Sequence, residues 1–183
     1  MRKSLVAALL VGASVLGTSP AIADEKAEKK LKVEVLDDCD PTDPAWEETG
    51  GCTLEGGAVT EAEFSRLLFS DLSGPSIVGH PAWRMAPAYF RIDADETLSV
   101  KNEGGRVHTF TKVASFGGGF VTQLNGILIF APECATAAPL LPGASVELNE
   151  LGVGDHFFQC CIHPWMRMQV KVGAEDEQQA HAH

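Results

Sequence analysis

Residues 158–166 read Phe-Gln-Cys-Cys-Ile-His-Pro-Trp-Met, and they place three side chains that can bind metals close together: Cys160, His163 and Met166. A thiolate, an imidazole and a thioether together favour copper, which accepts soft ligands as Cu(I) and as Cu(II). The same set suits Ca²⁺ or Mg²⁺ poorly, because those ions prefer oxygen ligands. The stretch therefore predicts a copper site near the C-terminal end of the chain.

A single tight turn cannot surround a metal ion, so a further ligand has to come from another part of the chain. A trigonal copper site of this kind uses two histidines and one cysteine, with a weaker axial methionine. His108 follows a glycine turn, Gly104–Gly105, and begins an apolar run. It is our candidate for the second histidine, and a polar residue at the end of a strand is the alternative interpretation.

The chain after residue 80 has the texture of an all-β domain. Short apolar runs, several of them alternating, are separated by Gly, Pro, Asn and Asp, and no helical periodicity intervenes. The runs are Phe90/Ile92, Leu98/Val100, Val107–Val113, Val121–Phe130, Val146/Leu148, Phe157/Phe158 and Val170/Val172. This pattern predicts an antiparallel sandwich or barrel, and we assign residues 81–173 to the copper-binding domain.

Residues 24–80 form an N-terminal extension in this interpretation. The alternation over Leu31–Leu36 predicts one strand, and residues 37–57 are loop-like, with Cys39 and Cys52 among prolines and glycines. Thr60 and Glu63 fit a capping box. It starts a short amphipathic helix whose apolar residues are Phe64, Leu67 and Leu68.

The two ends of the chain carry other signals. Arg2 and Lys3 precede an apolar run, and Ala21-Ile22-Ala23 has the small-x-small pattern of a cleavage site. We predict a signal peptide at residues 1–23 and hence a periplasmic or secreted protein. A membrane anchor is the alternative, for which the apolar run is short. Residues 174–183 are predicted to be a polar tail.

The spacing Cys160-x2-His163-x2-Met166, followed by Arg167 and an alternating last strand, resembles the ligand loop of the blue copper proteins, the cupredoxins. The amicyanin and pseudoazurin branch is the most similar. The resemblance covers residues 82–172 and implies a Greek-key β-sandwich that holds one type 1 copper and transfers single electrons. His108 matches the upstream ligand of that family.

The resemblance also implies where electrons would enter and leave. The ring edge of His163 should lie at the surface, within a patch that includes Pro164 and Trp165. Residues 24–80 have no counterpart in the small cupredoxins. The neighbouring Cys161 also departs from the family pattern.

The two adjacent cysteines can be sorted by strand geometry. Successive side chains of a strand point to opposite faces, so only one of Cys160 and Cys161 can reach the metal. Cys160 shares its face with Phe158, and we predict it to be the ligand. The remaining cysteines could form two disulfides, the local pair Cys39–Cys52 and, by elimination, Cys134–Cys161. Free buried thiols at Cys134 and Cys161 are the alternative.

Two methionines compete for the axial position. Met168 alternates with Val170 and Val172, which is typical of a core position in the last strand, whereas Met166 lies in the turn before it. We favour Met166. The remaining candidates have simpler interpretations: a non-ligand His80, a surface His156, a disordered end for His181 and His183, and a solvated acidic loop for Asp37, Asp38, Asp40 and Asp43.

Composition limits the choice of partners. The formal charge of −11 argues against nucleic acid or an anionic membrane as a partner and favours redox proteins with a basic docking surface. We expect an electron carrier and not an enzyme, because a copper oxidase would need three further histidines with suitable spacing. Periplasmic copper storage, delivery or tolerance with the same ligands is the alternative function.

Overall fold

The computed structural model describes residues 29–53, 57–71 and 78–173. The predicted signal peptide, residues 1–23, and the predicted polar tail, residues 174–183, lie outside the described residues. His181 and His183 lie outside them as well. Within the described ranges, no helix is both long enough and apolar enough to cross a membrane.

Ten strands, one short α-helix and three 3₁₀ helices (Pro44–Thr49, Thr122–Leu124 and Pro132–Thr136) make up the regular structure of the described residues. The helix, α1, spans Glu61–Leu68. The strands are β1 (Lys30–Asp37), β2 (Trp83–Ala86), β3 (Tyr89–Asp93), β4 (Thr97–Asn102), β5 (His108–Thr109), β6 (Thr111–Val113), β7 (Pro139–Leu140), β8 (Ser145–Leu148), β9 (Gly154–Gln159) and β10 (Arg167–Gly173).

The strands form two four-stranded sheets and a two-stranded pair. The first sheet has the order β2-β1-β4-β8 and the second has the order β3-β10-β9-β6. β5 pairs with β7, with His108 opposite Leu140. Alternate residues of the facing strands, among them Val33, Val100 and Val170, form one buried core between the sheets. The predicted all-β sandwich with one short helix is confirmed.

The predicted extension takes part in the sandwich. β1 lies between β2, to which it is antiparallel, and β4, to which it is parallel. The strand predicted at Leu31–Leu36 is confirmed, and it occupies an interior position of the first sheet. The two sheets therefore include residues from 30 onward and are not limited to residues 81–173.

Helix α1 follows the predicted capping pattern. The Thr60 side chain accepts a hydrogen bond from the backbone N–H of Glu63 at 3.2 Å, which satisfies one of the free N–H groups at the helix start. The buried face of α1 presents Phe64, whose ring lies 5.3 Å from Trp46 and 4.7 Å from Trp83. The helix thus covers the end of the sandwich where these tryptophans lie.

The strand predicted over Val121–Phe130 is wrong. Residues 122–124 form a 3₁₀ turn, and the rest is loop except for a single bridge between Gly118 and Phe130. Ile127 and Ile129 are 88% and 86% exposed, so the apolar run does not mark a buried strand. The left-handed backbone of Gly126 redirects the chain just before these residues.

Candidate metal centre

Three of the predicted ligands meet at one end of the sandwich. His108 opens β5, Cys160 follows the last residue of β9, and His163 lies in the turn that leads to β10. Two backbone hydrogen bonds close this turn: the N–H of Cys160 donates to the carbonyl of Met166 at 3.0 Å, and the N–H of Met166 donates to the carbonyl of His163 at 2.9 Å. The hairpin β9–β10 therefore fixes one side of the site, and β5 supplies the other.

The donor atoms form a small triangle, which we call the donor triangle: Nδ1 of His108, Nδ1 of His163 and Sγ of Cys160. The two nitrogens are 3.1 Å apart, and the sulfur lies 3.8 Å from His108 Nδ1 and 3.6 Å from His163 Nδ1. A point in its plane lies about 2.0 Å from all three atoms, close to the bond lengths of a first-row metal ion to nitrogen and sulfur. The dimensions of the donor triangle therefore fit such an ion.

The Cys160 sulfur is buried and surrounded by donors. It accepts hydrogen bonds from the backbone N–H groups of Thr109 and His163, each at 3.4 Å. Burial alone would raise the pKa of the thiol, but His108 and His163 together lower that pKa to about 5. Cys160 belongs to neither disulfide of the chain. With its pKa lowered to about 5, its side chain is a thiolate at neutral pH.

His108 is anchored from behind by a carboxylate. Its Nε2 lies 3.2 Å from Oδ2 of Asp37, at the end of β1, and both side chains are buried. Burial alone would lower the pKa of His108, but Asp37 and Cys160 together raise it to about 9. The prediction of a solvated acidic loop is wrong for Asp37, which is only 2% exposed.

A signal for the burial of Asp37 is present in the sequence. Residues 33, 35 and 37 lie on the same face of β1, and Val33 and Val35 are core residues. Strand parity therefore places the Asp37 side chain toward the core. The partner that explains a buried carboxylate, His108, is 71 residues away and cannot be identified from that local pattern.

His163 lies in a different environment, against two tryptophans. Its ring is nearly perpendicular to that of Trp83, at a centroid distance of 5.0 Å, and the ring of Trp165 lies at 5.5 Å. His163 itself is partly exposed, but Pro164 and Trp165 are buried. The predicted surface patch is therefore wrong for these two residues.

Trp165 is covered by segments that the sequence interpretation did not connect with the site. Phe64 of α1 lies 6.0 Å from its ring. Both Trp165 and Pro164 line a groove of about 480 Å³ together with Leu68 and Leu124. The N-terminal segment and the loop at residues 122–128 thus extend over the ligand turn.

Met166 and Met168 are both fully buried. Met168 lies within β10 opposite Phe158 of β9, which is the core position predicted for it. Met166 ends the ligand turn, hydrogen-bonded through its backbone to Cys160 and His163. Its assignment as axial ligand stays a prediction.

The sorting of the cysteines agrees with the structure. Disulfides join Cys39 to Cys52 and Cys134 to Cys161, as predicted. Cys160 belongs to the main core, whereas Cys161 belongs to a small separate cluster with Cys134. The two adjacent cysteines therefore face opposite sides, and free thiols at Cys134 and Cys161 are excluded.

Thr109 links the two sides of the site. Its hydroxyl accepts a hydrogen bond from the N–H of Cys161 at 2.7 Å, while its own N–H donates to the Cys160 sulfur. The backbone amide of Thr109 therefore contacts the sulfur, and its hydroxyl holds the neighbouring residue Cys161.

The remaining histidines of the described residues lie apart from the donor triangle. His80 is buried beside Trp165, and its Nδ1 accepts hydrogen bonds from the N–H groups of Ala82 and Trp83. His156, on β9, contacts the carbonyl of Gly152 in the loop before that strand. Within the described ranges, the one group of three or more His, Cys, Asp or Glu side chains with metal-binding spacing is His108, Cys160 and His163.

Comparisons with known proteins give similarities of fold. No family model matches the chain, and no curated protein matches it. A purple cupredoxin from Nitrosopumilus maritimus is similar at 21% identity and a TM-score of 0.36, over 55% of this chain and 92% of that one. An amicyanin from Paracoccus versutus is similar at 19% identity and a TM-score of 0.36, over 52% and 78%.

The fold class of this chain rests on its two sheets and their strand order. Sheets and site together define a two-sheet β-sandwich with a His-Cys-His cluster at one end.

Proposed function

We propose that this protein is a mononuclear type 1 copper protein that carries single electrons between redox partners in the periplasm or outside the cell. His108, Cys160, His163 and Met166 would hold the copper. The observation that carries the proposal is the donor triangle, which combines one thiolate and two imidazoles around a point at metal-bonding distance.

The donor set determines the chemistry available at the site. Copper bound there would supply one-electron chemistry through its Cu(II) and Cu(I) states. The chain contributes a geometry that changes little between them, because His108 lies on a strand and the Cys160–Met166 turn is closed by backbone hydrogen bonds. Two N–H groups at the Cys160 sulfur stabilise its negative charge and tune the potential.

His163 is the donor through which electrons would pass. It is partly exposed, whereas His108 and Cys160 are fully buried. Its ring also contacts Trp83 and Trp165, so the exit is the exposed part of the His163 ring, framed by buried aromatic side chains. In this proposal the protein transfers electrons and converts no substrate, so it is a carrier and not an enzyme.

The net charge supports the choice of partner. At −11 for the whole chain, long-range attraction would favour encounters with redox proteins that present a basic surface. Removal of the predicted signal peptide, which contains Arg2 and Lys3, would make the chain more acidic still.

The visible absorption spectrum after addition of Cu(II) tests the metal centre. We expect an intense thiolate-to-copper band that Cys160→Ser abolishes. The matched control is the double variant Cys134→Ser/Cys161→Ser, which removes the neighbouring disulfide and should keep the band. Tight Cu(I) binding without the band would instead favour copper storage or delivery. A band that persists in Cys160→Ser would contradict the ligand assignment.

Electron exchange tests the carrier function and the partner class. The reduced protein should react faster with a cationic cobalt(III) complex than with ferricyanide once their driving forces are matched. Added salt should slow the first reaction and accelerate the second, because screening weakens both attraction and repulsion. Equal salt dependence for both reagents would contradict electrostatic selection of a basic partner.

A further inference from the structure

A buried carboxylate lies behind the donor triangle and comes from the N-terminal strand. Asp37 ends β1, and its Oδ2 lies 3.2 Å from Nε2 of His108, on the side of the ring opposite Nδ1. The side chains of Asp37 and His108 are 1% and 0% exposed. An unpaired carboxylate is expensive to bury, so its partners explain its presence.

Asp37 has three polar partners, all in the segment around His108. Its Oδ1 accepts a hydrogen bond from the N–H of Gly105 at 2.8 Å, and Oδ2 accepts one from the N–H of Arg106 at 2.8 Å. His108 Nε2 is the third partner. The carboxylate therefore fixes both the loop that precedes β5 and the ring that follows it.

The glycine turn leaves room for this arrangement. A Cβ at Gly104 would collide with the Asp37 carboxylate, and a Cβ at Gly105 would collide with the side chain of Thr53. Asn102 holds the turn from the other side, since its Oδ1 accepts from the N–H of Gly104 at 2.9 Å. The turn is therefore shaped to receive the Asp37 side chain at close range.

The geometry also determines which nitrogen of His108 faces a metal. A ring that binds through Nδ1 carries its proton on Nε2, and that proton points at the acceptor-only carboxylate. Carboxylates that receive this proton fix the ring and increase its basicity as a ligand. A buried negative charge close to the site also interacts more favourably with a doubly charged ion than with a singly charged one.

We propose that Asp37 is a positioning residue of the metal centre, which orients His108 and favours Cu(II) over Cu(I). The inference rests on the proposed function, because it assumes that the metal bound at the donor triangle is copper. It assigns a role to the end of β1, which the sequence prediction had left outside the copper-binding domain. Without β1, His108 would lack the hydrogen-bond acceptor that fixes the orientation of its ring.

The test compares two neighbouring aspartates. Asp37→Asn keeps the shape of the side chain and removes the charge beside His108. Asp38→Asn is the matched control, because it removes the same charge one residue later, where the carboxylate pairs with Arg84 at 2.6 Å and is partly exposed. For each variant, the affinities for Cu(II) and Cu(I) are measured by competition with chelators, and the reduction potential by voltammetry.

We expect Asp37→Asn to lower the Cu(II) affinity relative to the Cu(I) affinity at least tenfold. That factor corresponds to a rise of about 59 mV in the potential of a one-electron couple. Asp38→Asn should change the ratio by less than threefold. Equal shifts in two folded variants would overturn the inference and leave only a general effect of net charge.

A measurement on the unmodified protein covers the case in which Asp37→Asn does not fold. In the Cu(I) protein, nitrogen-detected NMR should show His108 with a proton on Nε2 that exchanges slowly with water and no proton on Nδ1. A proton on Nδ1, or rapid exchange at Nε2, would overturn the inference. Failure of the proposed function looks different, because the unmodified Cu(II) protein would then lack the thiolate band.

Discussion

His108 and His163 offer the same donor atom, Nδ1, from two opposite surroundings. His108 is fully buried on β5, and the carboxylate of Asp37 lies behind its ring. His163 is partly exposed in a turn, and its ring contacts Trp83, Trp165 and the other donors. The inner histidine is held by a hydrogen bond to a charge, and the outer one by packing.

This difference separates two tasks that one metal site has to perform. The inner half must hold a fixed geometry, which the buried interior of the protein provides because close packing resists displacement. The outer half must let an electron reach a partner, which needs a donor near the surface. Changes at the inner half should therefore affect affinity and potential, and changes at the outer half should affect access.

The largest contrast is expected from deleting each ring. In His163→Gly the missing donor leaves an opening toward solvent, so added imidazole should enter and restore the thiolate band of the Cu(II) protein. In His108→Gly the gap is closed off by Asp37 and Trp83, and the same imidazole concentration should leave the band absent. Titrations followed by absorbance would measure this. Equal recovery in both variants would contradict the assignment of inner and outer donors.

The next effect concerns the disulfide beside the ligand turn. Cys134→Ser/Cys161→Ser opens a loop with a sequence separation of 27, and Cys39→Ser/Cys52→Ser opens one of 13. We expect losses in the free energy of unfolding of about 3.5 and about 3 kcal/mol, measured by urea denaturation. Only the first pair should also accelerate copper release to a chelator, since Cys161 adjoins Cys160. Identical release rates would mean that the disulfide does not restrain the outer half.

A smaller change is expected at Thr109, which joins the two halves. Thr109→Val leaves the N–H of Cys161 without its buried acceptor, at a cost of about 2 kcal/mol in the free energy of unfolding. Thr111→Val is the matched control on the next strand, where the hydroxyl is less buried and bonds only to Thr109. Thermal unfolding of the two metal-free variants would test this. Similar losses of stability in both variants would contradict the role of Thr109 in joining the two halves.

The smallest effect is expected at the axial position. Met166→Leu should weaken Cu(II) binding relative to Cu(I) binding on the order of tenfold, which raises the potential by about 59 mV. Met168→Leu changes the core of β10 and should cost less than about 1.5 kcal/mol of stability without moving the potential. Voltammetry on both variants measures the two potentials. A shift in Met168→Leu alone would identify Met168, and not Met166, as the axial ligand.

Local patterns predicted much of this fold. Alternating runs marked β1, β3, β4, β8 and β10 because a strand with one buried face alternates along its length. The capping residues marked α1. The run at Val121–Phe130 failed because apolar content alone does not distinguish a buried strand from an exposed loop.

The structure brings together His108, Cys160 and His163, as the sequence predicted, whereas contacts between distant segments around them were missed. The spacing of Cys160, His163 and Met166 is local, and His108 was found from the ligand number that copper needs. The pairing of Asp37 with His108 and the contact of Trp165 with Phe64 of α1 form only in the tertiary fold. No window of sequence contains both partners of either contact.

The interior position of β1 has a consequence for how the protein matures. Asp37 and His108 are 71 residues apart, and His108 and Cys160 are 52 apart, so the centre closes only when distant segments have come together. Such long-range pairing folds slowly compared with local structure. A chain in which β5 has not yet come together with the β9–β10 hairpin would offer copper the Cys160–Met166 turn without His108. Uptake of the metal with full affinity would therefore report that the chain has finished folding.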